Sequence, residues 1–354
     1  MNFLQSLPKS GPNRVSIISY NILADVFAQS TLLPIYSQYC PQECLAWEYR
    51  VRTLREQFSQ FNADIFCLQE VSLPNWEEDF GKFFSELGYC SLVQDDKNRS
   101  DTHTTGNAIV YRQAAFSPSV VESRSRAIIA GLRRLEVRPL SGASQHDFRD
   151  DLKSIAKNDL KKGDAKALKR VDFPGSLLWV CNVHLQGDPS AGETRLLQVR
   201  SALKRLRALQ LRSEHVPGSP AAPTIICGDF NSGAGSAVHE LLSTGVLPAN
   251  FVEPGQMRPF AAKAVTNLEG RYISAYACSS LPFTFSVAGF LRDILDFVFY
   301  SERGLWLRGL LQPFPTSDTE NVVAGLPRRG YPSDHLPVGA VFEFADKDDE
   351  PGLG

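Results

Sequence analysis

Six apolar stretches of this sequence end in, or carry, a side chain that can hold a cation or move a proton. They supply Asn21, Glu70, His184, Asp229 with Asn231, Asp296, and Asp334 with His335. The most compact of these is 224–232, where Ile225-Ile226-Cys227 runs into Gly228-Asp229-Phe230-Asn231. Gly228 lets the backbone turn sharply or approach a neighbour closely. Asp229 and Asn231, two residues apart, leave the strand end on one side. A carboxylate and a carboxamide aimed at one point suit a hard cation or a phosphate. The plainer alternative is an Asx turn at a strand exit. A lone histidine at a strand end is more often structural, and an aspartate inside a strand is often paired with a neighbouring cation. As a set the eight residues read differently. Strand ends along one sheet edge converge in space, and ligand sites of α/β proteins form there. The set is rich in hard oxygen donors with two histidines. It is accompanied by neither a GxxxxGK[ST] loop nor a Ser-His-Asp order. Oxygen-rich ligation suits Mg²⁺ or Mn²⁺, the ions of phosphate-ester chemistry.

The elements that must position these residues can be read from apolar periodicity. Runs at 15–21, 63–71, 108–111, 132–140, 176–184, 224–229, 295–300 and 340–344 predict strands, most of them buried on both faces. Val51, Leu54, Phe58 and Phe61 recur at three and four and predict a helix over 47–61 with Arg50, Arg52 and Arg55 off its apolar face. Trp76, Phe80, Phe83, Phe84 and Leu87 predict a helix over 75–87 stopped by Gly88. Further helices are expected over 193–211 and 236–242. Alternating buried strands and helices without a Pro/Gly-rich linker predict one α/β domain over 14–344. A short leader over 1–13 precedes it and an acidic tail over 345–354 follows. Residues 141–175 carry mixed charge and few large apolar groups, which predicts a solvated insertion; a nucleic-acid contact through its lysines is the weaker alternative.

The 354 residues carry a net charge of −2, so any nucleic-acid contact must come from a local basic patch. No apolar run spans a bilayer. Seven cysteines are scattered, with Cys67, Cys181 and Cys227 inside apolar runs, as buried thiols in a reducing intracellular compartment would be; the cytoplasm is expected before nucleus or organelle. Cys40 and Cys44 lack the partners of a zinc site.

Ser19-Tyr20-Asn21-Ile22-Leu23, Leu68-Gln69-Glu70-Val71, Asn182-Val183-His184-Leu185, Gly228-Asp229-Phe230-Asn231-Ser232, Leu295-Asp296-Phe297-Val298-Phe299-Tyr300 and Ser333-Asp334-His335 resemble, in order, the motifs of the endonuclease/exonuclease/phosphatase superfamily. Tyr39-Cys40-Pro41, Trp47-Glu48-Tyr49-Arg50, Pro189 five residues beyond His184, and Arg195 with Gln198 resemble its deadenylase branch. That branch includes the carbon-catabolite-repression deadenylases, Angel proteins, nocturnin and the 2′,5′-phosphodiesterase. The chain departs from the branch in having Gly106-Asn107-Ala108 where Gly-Cys-Ala is usual, and Phe290 six residues before Asp296 where the stacking phenylalanine stands five before. The resemblance implies a four-layer α/β sandwich of two packed mixed sheets flanked by helices. It implies a Mg²⁺-dependent (alternatively Mn²⁺-dependent) 3′-exoribonuclease that acts on RNA with a 3′ poly(A) tail and releases 5′-AMP. In this reading Glu70 holds the metal with Asn21 beside it, and Asp334 supports its shell. Asp229 and Asn231 hold a second metal or the attacking water. His335, oriented by Asp296, contacts the scissile phosphate, and His184 stabilises the phosphorane oxygens. Pro189, Arg195 and Phe290 are the substrate-binding residues. The rival expectations are a 2′,5′-oligoadenylate phosphodiesterase, a nocturnin-like NADP(H) 2′-phosphatase, and a catalytically silent RNA-binding or scaffold protein.

Overall fold

The computed structural model describes residues 13–30, 35–95, 104–137, 170–213, 222–260, 265–266, 270–279 and 281–345. The leader up to residue 12, residues 141–169 of the expected insertion and the tail beyond 345 lie outside the described residues. From Arg170 the backbone is already strand, so the last six positions of the expected insertion belong to the sheet.

Among the described residues sixteen strands follow in chain order: β1 Arg14–Asn21, β2 Ile65–Ser72, β3 Tyr89–Val93, β4 Thr105–Arg112, β5 Phe116–Arg124, β6 Ala127–Val137, β7 Arg170–His184 and β8 Thr224–Asp229, then β9 Val246–Leu247, β10 Val265–Thr266, β11 Tyr272–Ser274, β12 Phe285–Val287, β13 Leu291–Asp293, β14 Asp296–Ser301, β15 Leu305–Leu310 and β16 Val338–Phe344. Two six-stranded sheets form, in the orders β15-β16-β1-β2-β4-β3 and β11-β14-β8-β7-β6-β5. Each is mixed. β1 with β2 and β7 with β8 are parallel, while β16, β4, β6 and β14 run antiparallel to their neighbours. A parallel pair needs a crossover, and the Trp47–Phe61 and Gly192–Ser213 helices lie within the two crossovers.

Alternation within the apolar runs explains the layering. Ile17, Cys67, Ile109, Val180, Ile225, Cys227 and Val298 point into a core between the sheets. Their neighbours Ile18, Phe66, Leu68 and Val110 face the Trp47–Phe61 helix and the Trp76–Phe84 segment. Trp179, Cys181, Ile226, Phe297 and Phe299 face the Gly192–Ser213 and Ala237–Thr244 helices. Strands covered on both faces read as continuous apolar runs, and the result is the expected four-layer α/β sandwich. Cys67, Cys181 and Cys227 are fully buried thiols. Among the described residues no helix is long and apolar enough to cross a membrane.

Two local expectations need correction. The segment over 75–87 is not a continuous α-helix: Glu77–Gly81 is a π-turn and only Lys82–Glu86 is α. Trp76, Phe80 and Phe84 are buried, but Leu87 is exposed. In the Trp47–Phe61 helix, Arg50 is not on the outer face but fully buried, in line with Leu54, Gln57 and Phe61. Its Nη1 donates to Leu23 O at 2.8 Å and Pro332 O at 3.1 Å, and its Nη2 lies 3.6 Å from Asp25. Carbonyls and a carboxylate thus stabilise a charge that water cannot reach, as a buried cation requires. The clamp ties the segment after β1 to the segment before Asp334.

Candidate active site

Strands β1, β7 and β8 finish at one edge of the sandwich with Asn21, His184 and Asp229, and β2, parallel to β1, carries Glu70 two residues before its end there. Antiparallel β14 and β16 begin at that edge, so Asp296 pairs in register with Asp229, and His335 lies three residues before β16. The backbone departs from ideal geometry at the residues that matter. Gly228 has φ 143°, and a Cβ there would lie 1.9 Å from Val183 O on the adjacent strand. Asn231 has φ 48°, which asparagine tolerates. Glu70 has φ 61° at a bulge where the β2–β4 register shifts between Leu68 and Val71. Bulges re-aim side chains, and strained backbone clusters at functional sites.

The bulge is braced from the facing sheet. Asn182 Nδ2 donates to Leu68 O and Ala108 O, both at 2.9 Å, and its Oδ1 accepts from Gln69 Nε2 at 2.7 Å. Gln69 also donates to Ser19 Oγ at 3.1 Å. Gln69 therefore faces the buried network, and Glu70 is turned to the site. Both Gln69 and Asn182 stand inside the quoted motifs, yet a polar residue within an apolar run gives no sign of which face it takes.

Asn21 links the two sheets. Its Nδ2 donates to Glu70 Oε1 and to Asp229 Oδ2, each at 3.0 Å, while its Oδ1 accepts from Leu23 N. In this arrangement its NH₂ holds the Glu70 and Asp229 carboxylates together across the sheets. Glu70 Oε2 accepts from Ala24 N at 2.8 Å. Asp229 Oδ1 accepts from Asn231 N at 2.8 Å, and Asn231 Nδ2 donates to Leu185 O at 3.0 Å. His184 Nε2 lies 3.8 Å from Glu70 Oε1 and 3.7 Å from Asp229 Oδ2; His335 Nε2 lies 3.7 Å from the same Asp229 oxygen. His335 Nδ1 is 2.8 Å from Asp296 Oδ2, and Asp296 N donates to Thr284 Oγ1 at 3.0 Å. Asp334 Oδ2 accepts from the Tyr36 hydroxyl at 2.6 Å. Sequence reasoning did not single out Tyr36, Thr284, Gln69 or Asn182.

The electrostatics follow from burial. Desolvation pulls the His335 pKa down, but the Asp296 and Asp229 carboxylates and the Asp296 hydrogen bond outweigh it, so the imidazole is held protonated well above its usual range. Desolvation raises Asp229, with His335 opposing. Asp229, Asp296 and His335 place ligand atoms within 4.8 Å of one another. The hydrogen-bonded imidazolium already supplies the cation there. A cation could instead be held on the Glu70 side. Four carboxylates (Glu70, Asp229, Asp296 and Asp334) meet two imidazoles, and the donors left over are oxygens, as Mg²⁺ or Mn²⁺ requires. Burial, and then the Asp334 carboxylate, pushes Glu70 up to about 7.

A pH dependence follows. A carboxyl whose folded pKa exceeds its unfolded value binds more protons when folded, so protein without a bound cation loses stability as pH rises from the ordinary carboxylate range through 7. The full loss is on the order of 3 kcal/mol. A divalent cation offsets the repulsion only where Glu70 is charged. Mg²⁺ is therefore expected to raise Tm more at pH 8 than at pH 5, read by thermal scanning of metal-stripped protein; equal shifts would contradict the assignment.

The expected substrate residues separate. Arg195 is buried, and its guanidinium donates to the carbonyls of Gln186, Asp188 and Pro189. It shapes the loop after His184 and does not reach outward. Gln198 acts likewise, accepting from Gln186 N at 2.9 Å. Pro189 is exposed on that loop. Phe290 is 77% exposed in the turn between β12 and β13. The base of the same hairpin touches the site, where the Phe285 ring packs 5.0 Å from the His335 ring.

The geometry can be set beside known proteins. The family model described as "Endonuclease/Exonuclease/phosphatase family" matches residues 18–335. The chain is 28% identical over 346 residues to the CCR4-Not complex 3′-5′-exoribonuclease subunit Ccr4 of Saccharomyces cerevisiae, covering 93% of this chain and 38% of that protein. It is 30% identical over 366 residues to the carbon catabolite repressor protein 4 homolog 1 of Arabidopsis thaliana, covering 92% and 57%. The chain thus spans less than two thirds of the length of either relative. Its fold is shared by ANGEL2, solved as a 2′,3′-cyclic phosphatase with adenosine-2′,3′-vanadate, at TM-score 0.69 and 21% identity over 94% of this chain and 96% of that one. The human Nocturnin catalytic domain with bound sulfate superposes at TM-score 0.56 and 18% identity, covering 94% of each chain. The motifs in their order, the two sheets that bring them to one edge and the match across 18–335 agree: this chain belongs to the endonuclease/exonuclease/phosphatase family.

Proposed function

We propose that the chain is a Mg²⁺-dependent phosphodiesterase, and specifically a 3′-exoribonuclease that shortens adenylate-ended RNA and releases 5′-AMP. The observation that carries this reading is the meeting of Asn21, Glu70, His184, Asp229 and the His335–Asp296 pair, drawn from six separate segments, around one carboxylate oxygen of Asp229. The exoribonuclease activity is supported by similarity to the exoribonuclease relatives; the adenylate preference rests on the motifs that resemble the deadenylase branch and on the exposed Phe290, whose ring offers a base a stacking face worth about 1–3 kcal/mol.

Glu70, with Asp229, Asn231 and Asp334, would hold the cation. When bound it supplies charge neutralisation at the phosphate and a lowered pKa for water. The chain's own groups do the rest. Asp229, its pKa raised by burial, accepts a proton from the attacking water. Asn231 and Asn21 fix that carboxylate through both its oxygens. His335, kept protonated by Asp296, and His184 face the same point and donate to the non-bridging oxygens, where charge builds as the water attacks phosphorus and the bond to O3′ breaks. The departing O3′ takes a proton from water.

The test is hydrolysis of a 5′-labelled RNA ending in a run of A, with Mg²⁺, beside NADPH and 2′,5′-oligoadenylate under the same conditions. The reading expects stepwise loss from the RNA 3′ end. Cleavage of NADPH or 2′,5′-oligoadenylate with the RNA left intact would assign the site to a small adenylate ester instead. No turnover of any of the three would favour a silent binding protein.

A further inference from the structure

A cleft of about 210 Å³ lies beside the catalytic edge, between the β5–β6 turn and the outer side of the Gly192–Ser213 helix. Arg124 and Arg126 stand on its turn side, Gln198 and Ser201 on its helix side, and Leu185 and Leu197 also line it. The cleft is joined to the site through its floor. Leu185 follows His184 directly, and its carbonyl accepts from Asn231 Nδ2 at 3.0 Å. The turn is held rigidly. Gln94, itself buried, donates to Arg124 O at 2.5 Å and Ser125 O at 3.2 Å, and His184 N donates to Arg126 O at 3.0 Å. The Arg124 guanidinium crosses to Ser201 Oγ at 3.5 Å and lies 3.8 Å from Glu122. That carboxylate is already gripped by both Nε and Nη2 of Arg205, so it neutralises little of Arg124. On a chain of net charge −2, a preformed cleft with two arginines, hydroxyl and amide groups and an exposed leucine beside the reaction centre suits an anion carrying an apolar ring.

We propose that this cleft is a second nucleotide subsite, which holds one phosphate-and-nucleoside unit of the polyribonucleotide on the 5′ side of the scissile bond. The inference rests on the exoribonuclease reading. Such an enzyme leaves a single nucleotide on the 3′ side, so any subsite beyond the centre must take the 5′ portion. Arg124 holds the phosphate, with Arg126 adding positive potential, and the base lies against Leu197.

The test compares Arg124→Glu with the unaltered protein on an A20 oligonucleotide and on the dinucleotide ApA, and measures binding of fluorescein-labelled A20 in a Glu70→Gln background. The subsite predicts that Arg124→Glu raises KM for A20 about ten-fold with kcat held, leaves ApA hydrolysis unchanged, weakens A20 binding and lowers the salt slope of binding by about one phosphate contact. Arg124→Lys should restore most of the binding. Equal losses on A20 and ApA would make Arg124 a structural residue and overturn the proposal. Unaltered A20 binding would overturn it too, and leave the cleft to a different partner such as a protein segment. If the unaltered protein cleaves neither RNA, the exoribonuclease reading has failed, while the binding arm still decides whether the cleft takes RNA.

Discussion

Replacing Asp229 with Asn is expected to leave a folded protein and to lower Mg²⁺-dependent RNA hydrolysis by about a thousand-fold or more. The substitution is nearly isosteric, so the inter-sheet packing around position 229 is kept. The carboxylate accepts from Asn21 Nδ2 on one oxygen and from Asn231 N on the other. A carboxamide can accept only one of these, which costs about 1–3 kcal/mol. Part of that is returned, because desolvation disfavours the charge being removed. The chemistry has no such compensation. Asp229 faces both imidazoles at 3.7 Å, so its removal takes away the proton acceptor and releases His335 from one of the three carboxylates, with Asp296 and Asp334, that keep it protonated. Initial rates on adenylate-ended RNA, with circular dichroism as the control for folding, check the prediction. A loss of less than ten-fold would remove Asp229 from the centre of the mechanism.

Gly228→Ala is expected to have the largest effect on stability. The β7–β8 pair is parallel and Gly228 stands opposite Val183, with a Cβ position only 1.9 Å from the Val183 carbonyl oxygen and 2.8 Å from its N and C. No side chain can rotate away to relieve a contact between backbone atoms. The φ of 143° is also one that alanine adopts only under strain. The two strands must therefore move apart between His184 and Asp229, at a cost of about 4 kcal/mol or more. Urea unfolding should show the midpoint falling sharply, with activity falling further because His184 and Asp229 are displaced together. Wild-type stability would mean that β7 and β8 do not approach as described.

These two adjacent positions show what the sequence makes legible. Continuous apolar runs announced strands covered on both faces, because no solvent-facing alternation interrupts Ile225-Ile226-Cys227 or Trp179-Val180-Cys181. Polar residues closing such runs were legible as a converging set, but not as the edges of two sheets: the parallel pairs β1–β2 and β7–β8 belong to different sheets that finish on the same side of the sandwich. What one residue's type cannot carry is direction. Arg50 is four residues from Leu54 and seven from Gln57, on the buried side of its helix, but a guanidinium reads as outward until the carbonyls of Leu23 and Pro332 are seen to receive it. Arg195 is the same case at the loop after His184, where three carbonyls receive its guanidinium. Glu70 points into the site because a bulge reverses the alternation after Gln69, and a bulge leaves no trace in hydrophobic periodicity. Strands β12 and β13, three residues each, are too short for periodicity to register, although their hairpin carries Phe290 and packs Phe285 against His335. Tyr36 reaches Asp334 across 298 positions of chain, a contact only the folded crossover creates.

The most direct test of the account is 5′-AMP release from A20, followed chromatographically in metal-stripped protein as Mg²⁺ is added, with Glu70→Gln run in parallel. The account predicts no release with EDTA, saturable release with Mg²⁺, and loss of nearly all of it in Glu70→Gln while the protein stays folded. Release that persists in EDTA, or that survives the Glu70 substitution, would contradict a metal-dependent centre built on the ends of these six segments.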